Sequence, residues 1–367
     1  RPVQARSPML DVVRPSVLPA AAFQPHPLLR NPHLQTGVAA LWRRPACSLR
    51  RERIEFDDGD FVDLGWRIPP RAADKLALLV HGLGGSLGSG YLCGMASALD
   101  ARGWQVAMLQ LRGAGPEPNR SLRCYHHGDT GDFRHVCRIL RRRFPRAAIA
   151  AIGWSLGGSV VRRALGEDAD ASPLDAAIAI SVPFDLRRSA ERLRSGGGRV
   201  YQHLLLRQLR RNLRRKHAQV ALPAAIDLRA ALDAPDFFAL GDAYIAPVNG
   251  FRDAQHYCDS AGCVPWLATI RRPALVVHAA DDPFMDAAAL PAPARLPPCA
   301  RLELYAHGGH AGFIAADRLG RPALWLERRV PAFLAEVSAV PKGRTAPIPE
   351  SVQASVLSAT RYFGSSR

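Results

Sequence analysis

The sequence predicts an α/β fold: a mostly parallel central sheet, helices on both faces, and a helical segment inserted after one strand. Three observations carry this. Short apolar runs recur at Leu76–Val80, Val106–Leu111, Ala147–Ile152, Ala176–Val182, Ala274–His278 and Arg301–Tyr305. Runs this short and this apolar fit strands buried on both faces, which a parallel sheet requires. Helical stretches fall between them, at Tyr91–Arg102, Gly131–Phe144, Leu156–Gly166 and Ala323–Val337. That alternation describes a doubly wound sheet. Third, the alternation breaks once, between Phe184 and about Trp266, where an Arg-dense helical stretch (Leu204–Lys216) is followed by polar loops.

Residues 1–25 read as an irregular arm punctuated by Pro2, Pro8, Pro15 and Pro19. They lack the compact apolar stretch and small-residue site of a secretory signal. Arg51–Trp66 alternates around Asp58-Gly59, a β-hairpin signal. The core is expected over 26–183 and 267–338, and the helical cap over 184–266. Residues 339–367, rich in Ser, Thr and Pro, form a loose tail.

Composition narrows the function classes. Of 367 residues, 48% are hydrophobic, enough for a real core. No apolar run approaches the ~18 residues of a membrane span, so a soluble, cytoplasmic protein is expected. Net charge is +17 and the isoelectric point about 10.5, yet the cations are nearly all Arg, with Lys only at Lys75, Lys216 and Lys342. This reads as a solvated basic surface. The functional alternative is peripheral attraction of the basic cap to an anionic membrane; specific nucleic-acid binding is not expected. Seven scattered cysteines, with no C-x-x-C pair, argue against a disulfide framework and a zinc site. No cofactor or metal is expected.

The chemistry starts at Gly153-Trp154-Ser155-Leu156-Gly157. A strand runs into this G-x-S-x-G and a helix leaves it, the context of a nucleophile elbow. A nucleophilic serine needs a base oriented by a third group. Asp281-Asp282 follows the run Ala274–His278, and His307-Gly308-Gly309-His310 follows Arg301–Tyr305. Both lie at strand C-terminal ends, where open sheets place their sites. The small-x-x-Asp register favours Asp282 over Asp281 as the acid. His310, deeper in its loop, is favoured over His307 as the base. His81-Gly82-Leu83-Gly84-Gly85 follows the run Leu76–Val80 and lacks the patterns of a nucleotide cradle. The expected oxyanion donors are the backbone N–H groups of Leu83 and Leu156.

Several blocks resemble the YheT-like branch of the α/β-hydrolases. They are Asn31-Pro32-His33-Leu34-Gln35-Thr36, His81–Gly85, Glu117-Pro118-Asn119-Arg120, Tyr125–Thr130, Gly153–Gly158, Val182–Leu186, Asp281–Phe284 and His307–Phe313. The likeness spans about Pro25 to Ala335. It implies the α/β-hydrolase fold and a serine esterase whose triad falls on Ser155, Asp282 and His310. Relatives of this kind act on medium-chain acyl esters or phospholipids, some as alcohol acyltransferases. The sequence departs from the pattern at Ala114 and His127. The Asn31–Thr36 block has no obvious chemistry and reads as structural, an arm packed across the domain.

Short- to medium-chain ester hydrolysis is therefore the expected function, on a small-molecule or lipid ester. A lipase or acyltransferase acting on longer acyl lipids is the alternative among enzymes. An inactive hydrolase scaffold that binds nucleic acid or membrane through Arg187–Lys216 is the alternative of another class.

Overall fold

A computed structural model of the chain describes residues 23–42, 47–68, 73–292 and 295–338. Most of the expected arm and all of the expected tail (339–367) lie outside these residues.

Eight strands form one sheet: β1 (Arg50–Glu55), β2 (Phe61–Trp66), β3 (Lys75–Val80), β4 (Gln105–Gln110), β5 (Ala148–Trp154), β6 (Ala176–Ile180), β7 (Ala274–Ala279) and β8 (Ala300–Tyr305). Their order is β1-β2-β4-β3-β5-β6-β7-β8. β1 and β2 are the expected hairpin, turned by Gly59 at φ 76°. β2 also meets β4 antiparallel, and every pairing from β4 to β8 is parallel. Side chains alternate across the sheet as the pleat dictates. On β3, Leu76, Leu78 and Val80 enter one core layer, while Ala77 and Leu79 enter the other.

Helices cover both layers. Phe133, Val136 and Leu140 of α3 (Gly131–Arg143) and Val160, Val161 and Leu165 of α4 (Leu156–Asp168) close the first. Leu92, Met95 and Leu99 of α2 (Gly90–Asp100) close the second, with Val330, Phe333 and Leu334 of α11 (Leu326–Ser338). α1 (Pro32–Leu41) precedes the sheet; Asn31 caps it, its Oδ1 accepting from the His33 and Leu34 N–H groups.

Between β6 and β7 the chain forms α5 (Leu186–Leu193), α6 (Gly198–His217), α7 (Leu228–Asp233), α8 (Phe237–Leu240), a π turn at Gly241–Ile245, α9 (Ala246–Val248) and α10 (Ala254–Ala261). Leu206, Leu213, Ala231, Leu240 and Tyr244 give this segment a small core of its own.

Two local expectations change. The last helix starts at Leu326, because Pro322–Leu324 instead forms β10, paired with β9 (Ile314–Ala316). Lys216, read as part of a basic surface, is buried, its ammonium donating to the Leu122 and Arg123 carbonyls at 2.8 and 2.9 Å.

Candidate active site

Ser155 sits between β5 and α4 with φ at 50°, a conformation strained for any residue but glycine. The elbow closes only because its neighbours lack side chains. A Cβ at Gly157 would lie 2.4 Å from the His81 carbonyl oxygen, and one at Gly153 would lie 2.3 Å from that of Gly157. The turn projects Ser155 at the C-terminal end of β5 and aims the first turn of α4 at the same space.

The loop after β3 supplies the opposite wall. His81 is fully buried and its pKa is lowered to about 4 by desolvation. The neutral ring donates from Nδ1 to the Gly82 carbonyl and accepts at Nε2 from the Leu111 N–H. The Gly82 N–H donates to the Tyr91 hydroxyl at 3.0 Å and the Gly84 N–H to the Tyr125 hydroxyl at 3.1 Å. Between them the Leu83 N–H has no partner among the described residues. Leu83 and Leu156 both line the cavity that Ser155 opens onto.

The two adjacent aspartates separate cleanly. Asp282 is buried and holds His310 Nδ1 at 2.9 and 3.2 Å; its Oδ1 also accepts from the Phe284 N–H at 2.8 Å. Asp281 accepts from the Gly309 N–H at 2.9 Å and meets the exposed His307 at 3.2 Å. Burial pushes the Asp281 carboxyl up from its usual range. His310 and Ser155 line one cavity, while no hydrogen bond joins their side chains among the described residues. Nucleophile–base bonds of unliganded enzymes are often long.

Four side chains fix the histidine loop. Consecutive N–H groups of Gly309, His310 and Ala311 donate to Asp281, to the Thr36 hydroxyl (2.9 Å) and to the Ser181 hydroxyl (2.9 Å). Gln35 then takes both backbone groups of Ile314, accepting at 2.6 Å and donating at 3.0 Å. Thr36 and Gln35 belong to the Asn31–Thr36 block, so that block bears on the site directly. Sequence reasoning passed over Gln35, Thr36, Ser181 and Phe284 as site components.

The cavity measures about 570 Å³, within the usual range for small-molecule sites. Apolar side chains dominate its walls, among them Leu186, Leu205, Leu209 and Met285. His126 packs edge-on to Phe251 and Tyr257, and His127 Nδ1 lies 3.4 Å from the Ser159 hydroxyl. Burial lowers the pKa values of these two histidines to about 3 and about 4. All seven cysteines are free thiols.

The family model described as "alpha/beta hydrolase fold" matches residues 77–317. A protein of Escherichia coli (strain K12) called "Putative esterase YheT" is 40% identical over 318 residues, 86% of this chain and 93% of the relative. "Monoacylglycerol lipase" of Saccharomyces cerevisiae is 28% identical over 258 residues, 68% of this chain and 57% of that protein. Among solved structures, the Pyrococcus furiosus esterase Pf2001 superposes with a TM-score of 0.51 at 16% identity, over 79% of this chain and 91% of its own. The chain therefore belongs to the α/β-hydrolase family, in its YheT-like branch.

Proposed function

We propose that the protein hydrolyses carboxylic esters of short to medium acyl chain length through an acyl-enzyme on Ser155. The observation that carries this reading is the buried Asp282 bound to His310 on a cavity shared with Ser155. His310 takes the proton as Ser155 attacks the ester carbonyl. Asp282 fixes the Nδ1–H tautomer and stabilises the imidazolium that forms. The Leu83 and Leu156 N–H groups receive the oxyanion. His310 returns its proton to the leaving alcohol, then activates the water that releases the acid.

Apolar walls around about 570 Å³ favour an acyl chain over a polar substrate. The relatives named for esterase and monoacylglycerol lipase activity agree with that class. We read the route of entry as a lipid surface. Leu34, Leu41, Val200 and Leu204 stand 47%, 82%, 61% and 54% exposed, and Leu41 and Leu204 also line the cavity. α1 and α6 contain no acidic residue, and α6 exposes Arg199, Arg207, Arg211 and Arg214. An apolar rim flanked by Arg suits an anionic membrane.

The test is hydrolysis of p-nitrophenyl esters from acetate to palmitate by wild type and Ser155→Ala. Loss of at least ~10³-fold in kcat on removing the nucleophile is expected, with an optimum at short to medium chains rather than at palmitate. Equal turnover by the two proteins, or failure of a fluorophosphonate to label Ser155, overturns the reading. Flotation with phosphatidylglycerol vesicles but not phosphatidylcholine vesicles, lost in Leu41→Asp/Leu204→Asp, supports the route of entry; equal flotation of both proteins refutes it.

A further inference from the structure

Asp282 fixes one edge of the His310 imidazole, but a bond at Nδ1 alone leaves the ring free to swing, since the last torsion of histidine is soft. The ring face is held separately. Phe284 stacks on it with centroids 4.0 Å apart and planes 15° apart. The N–H of Phe284 is bound to Asp282, so stacking partner and acid move together. The next ring in the column is Tyr201 of α6, 4.8 Å from Phe284. Tyr201 in turn stacks on His33 of α1 at 5.8 Å and 13°, and its hydroxyl lies 3.1 Å from His33 Nδ1. The start of α6 abuts His33 closely: a Cβ at Gly197 would come 2.6 Å from the imidazole Cε1.

The column closes a circuit. α1 holds the backbone of His310 through Thr36, and through His33, Tyr201 and Phe284 it backs the imidazole. Within it Tyr201 comes from the helical segment between β6 and β7.

We propose that Tyr201 and Phe284 are positioning residues for His310, and that they make its alignment depend on the seating of α6 against α1. The proposal rests on His310 being the general base. When α6 lies on His33, as in the structure, Tyr201 supports Phe284 and the imidazole is held in one plane about its bond to Asp282. When α6 lifts, Phe284 loses its backing and the ring swings about its bond to Asp282. Proton transfer then waits on closure of the same helix that walls the acyl cavity. A residue that only lined the cavity would act on substrate binding instead.

The experiment measures kcat and KM on p-nitrophenyl butyrate for the full chain carrying Tyr201→Leu, Phe284→Leu, both together, Tyr201→Phe and Phe284→Tyr. Tyr201→Leu and Phe284→Leu should each lower kcat about tenfold with KM changed less than about twofold, a loss in the range small misplacements produce. The double variant should be no slower than Phe284→Leu, because the two act in series. The conservative variants keep the rings and should recover kcat to within about threefold of wild type. Should Phe284→Leu melt early, the Tyr201 pair decides alone. An unchanged kcat in Tyr201→Leu, a change in KM only, or losses that multiply in the double variant overturns the proposal. Wild type no faster than Ser155→Ala overturns the general-base reading and the proposal with it.

Discussion

Asp282→Asn separates the two aspartates and tests the tautomer argument. Asp282 Oδ1 accepts from the Phe284 N–H at 2.8 Å, while Oδ2 is the nearer oxygen to His310 Nδ1, at 2.9 Å. An asparagine must keep its oxygen on the Phe284 N–H, since an amide nitrogen there would set donor against donor. Its NH₂ then faces His310 and donates to Nδ1. The proton moves to Nε2, the atom that should take the serine proton, and the base is disabled in place. Loss of the tautomer in Ser-His-Asp enzymes costs about 10⁴ in kcat, or roughly 5 kcal/mol at 1.36 kcal/mol per decade. Asp281→Asn can keep its oxygen on the Gly309 N–H and loses only a contact with the exposed His307. It should stay within about tenfold of wild type, the scale of one lost hydrogen bond. The assay is kcat on p-nitrophenyl butyrate, with thermal melts as the folding control. Equal losses in the two variants, or an Asp282→Asn protein within about tenfold of wild type, would refute the reasoning.

Thr36→Val removes the acceptor of the His310 N–H and leaves that donor unsatisfied; a buried loss of this kind costs about 1–3 kcal/mol. It should lower both melting temperature and kcat, and Thr36→Ser should restore both; equal behaviour of Val and Ser would contradict it. Gly157→Ala forces a Cβ to 2.4 Å from a backbone oxygen, so loss of soluble protein or of all esterase activity is expected; an active, stable variant would refute the account of the elbow. Stability should fall as pH drops from about 6.5 to about 4. Burial depresses the pKa values of His81, His126 and His127 to about 4, 3 and 4, so over that window the unfolded chain binds protons that the folded chain refuses. For His81 alone the cost reaches roughly 3 kcal/mol at the acid end. Asp129, raised to about 6 by burial, works in the opposite sense. Melting temperature against pH checks the sign, and a rise on acidification would refute it.

The inner strands β3 to β7 were legible because burial on both faces leaves a nearly unbroken apolar run, and Ser155 because a strand, a tight turn and a helix frame it within a few residues. What stayed illegible is polar and long-range. Gln35 and Thr36 bind Ile314 and His310 across separations of 279 and 274 residues, and such bonds leave no periodicity to read. Ser181 looks like one more strand residue in Ala176–Val182, yet it turns to φ 50° and offers its hydroxyl to Ala311. Asp282 could be ranked over Asp281 from register and His310 over His307 from its depth in the loop, but both aspartates turn out to be paired with a histidine. Lys216 misleads because carbonyls, not carboxylates, satisfy it, and no sequence pattern marks a carbonyl.

The histidine loop explains why so many distant side chains converge on one short segment. Gly308, Gly309, Ala311 and Phe313 all have positive φ, at 146°, 57°, 55° and 46°. Within this contorted segment the Phe313 N–H closes on the Gly308 carbonyl at 3.0 Å, while the N–H groups of Gly309, His310, Ala311 and Ile314 take partners from elsewhere, as buried donors must. Asp281, Thr36, Ser181 and Gln35 are those partners. The close approach has the same origin: a Cβ at Gly309 would meet the Pro32 oxygen at 2.5 Å, and one at Gly312 the Gln35 oxygen at 2.6 Å. Strain of this kind persists only where surrounding structure over-determines it. α1 is thus the clamp that makes the His310 conformation affordable, and a protein with an intact Ser155, Asp282 and His310 but no α1 should fold its sheet and still fail to set the base.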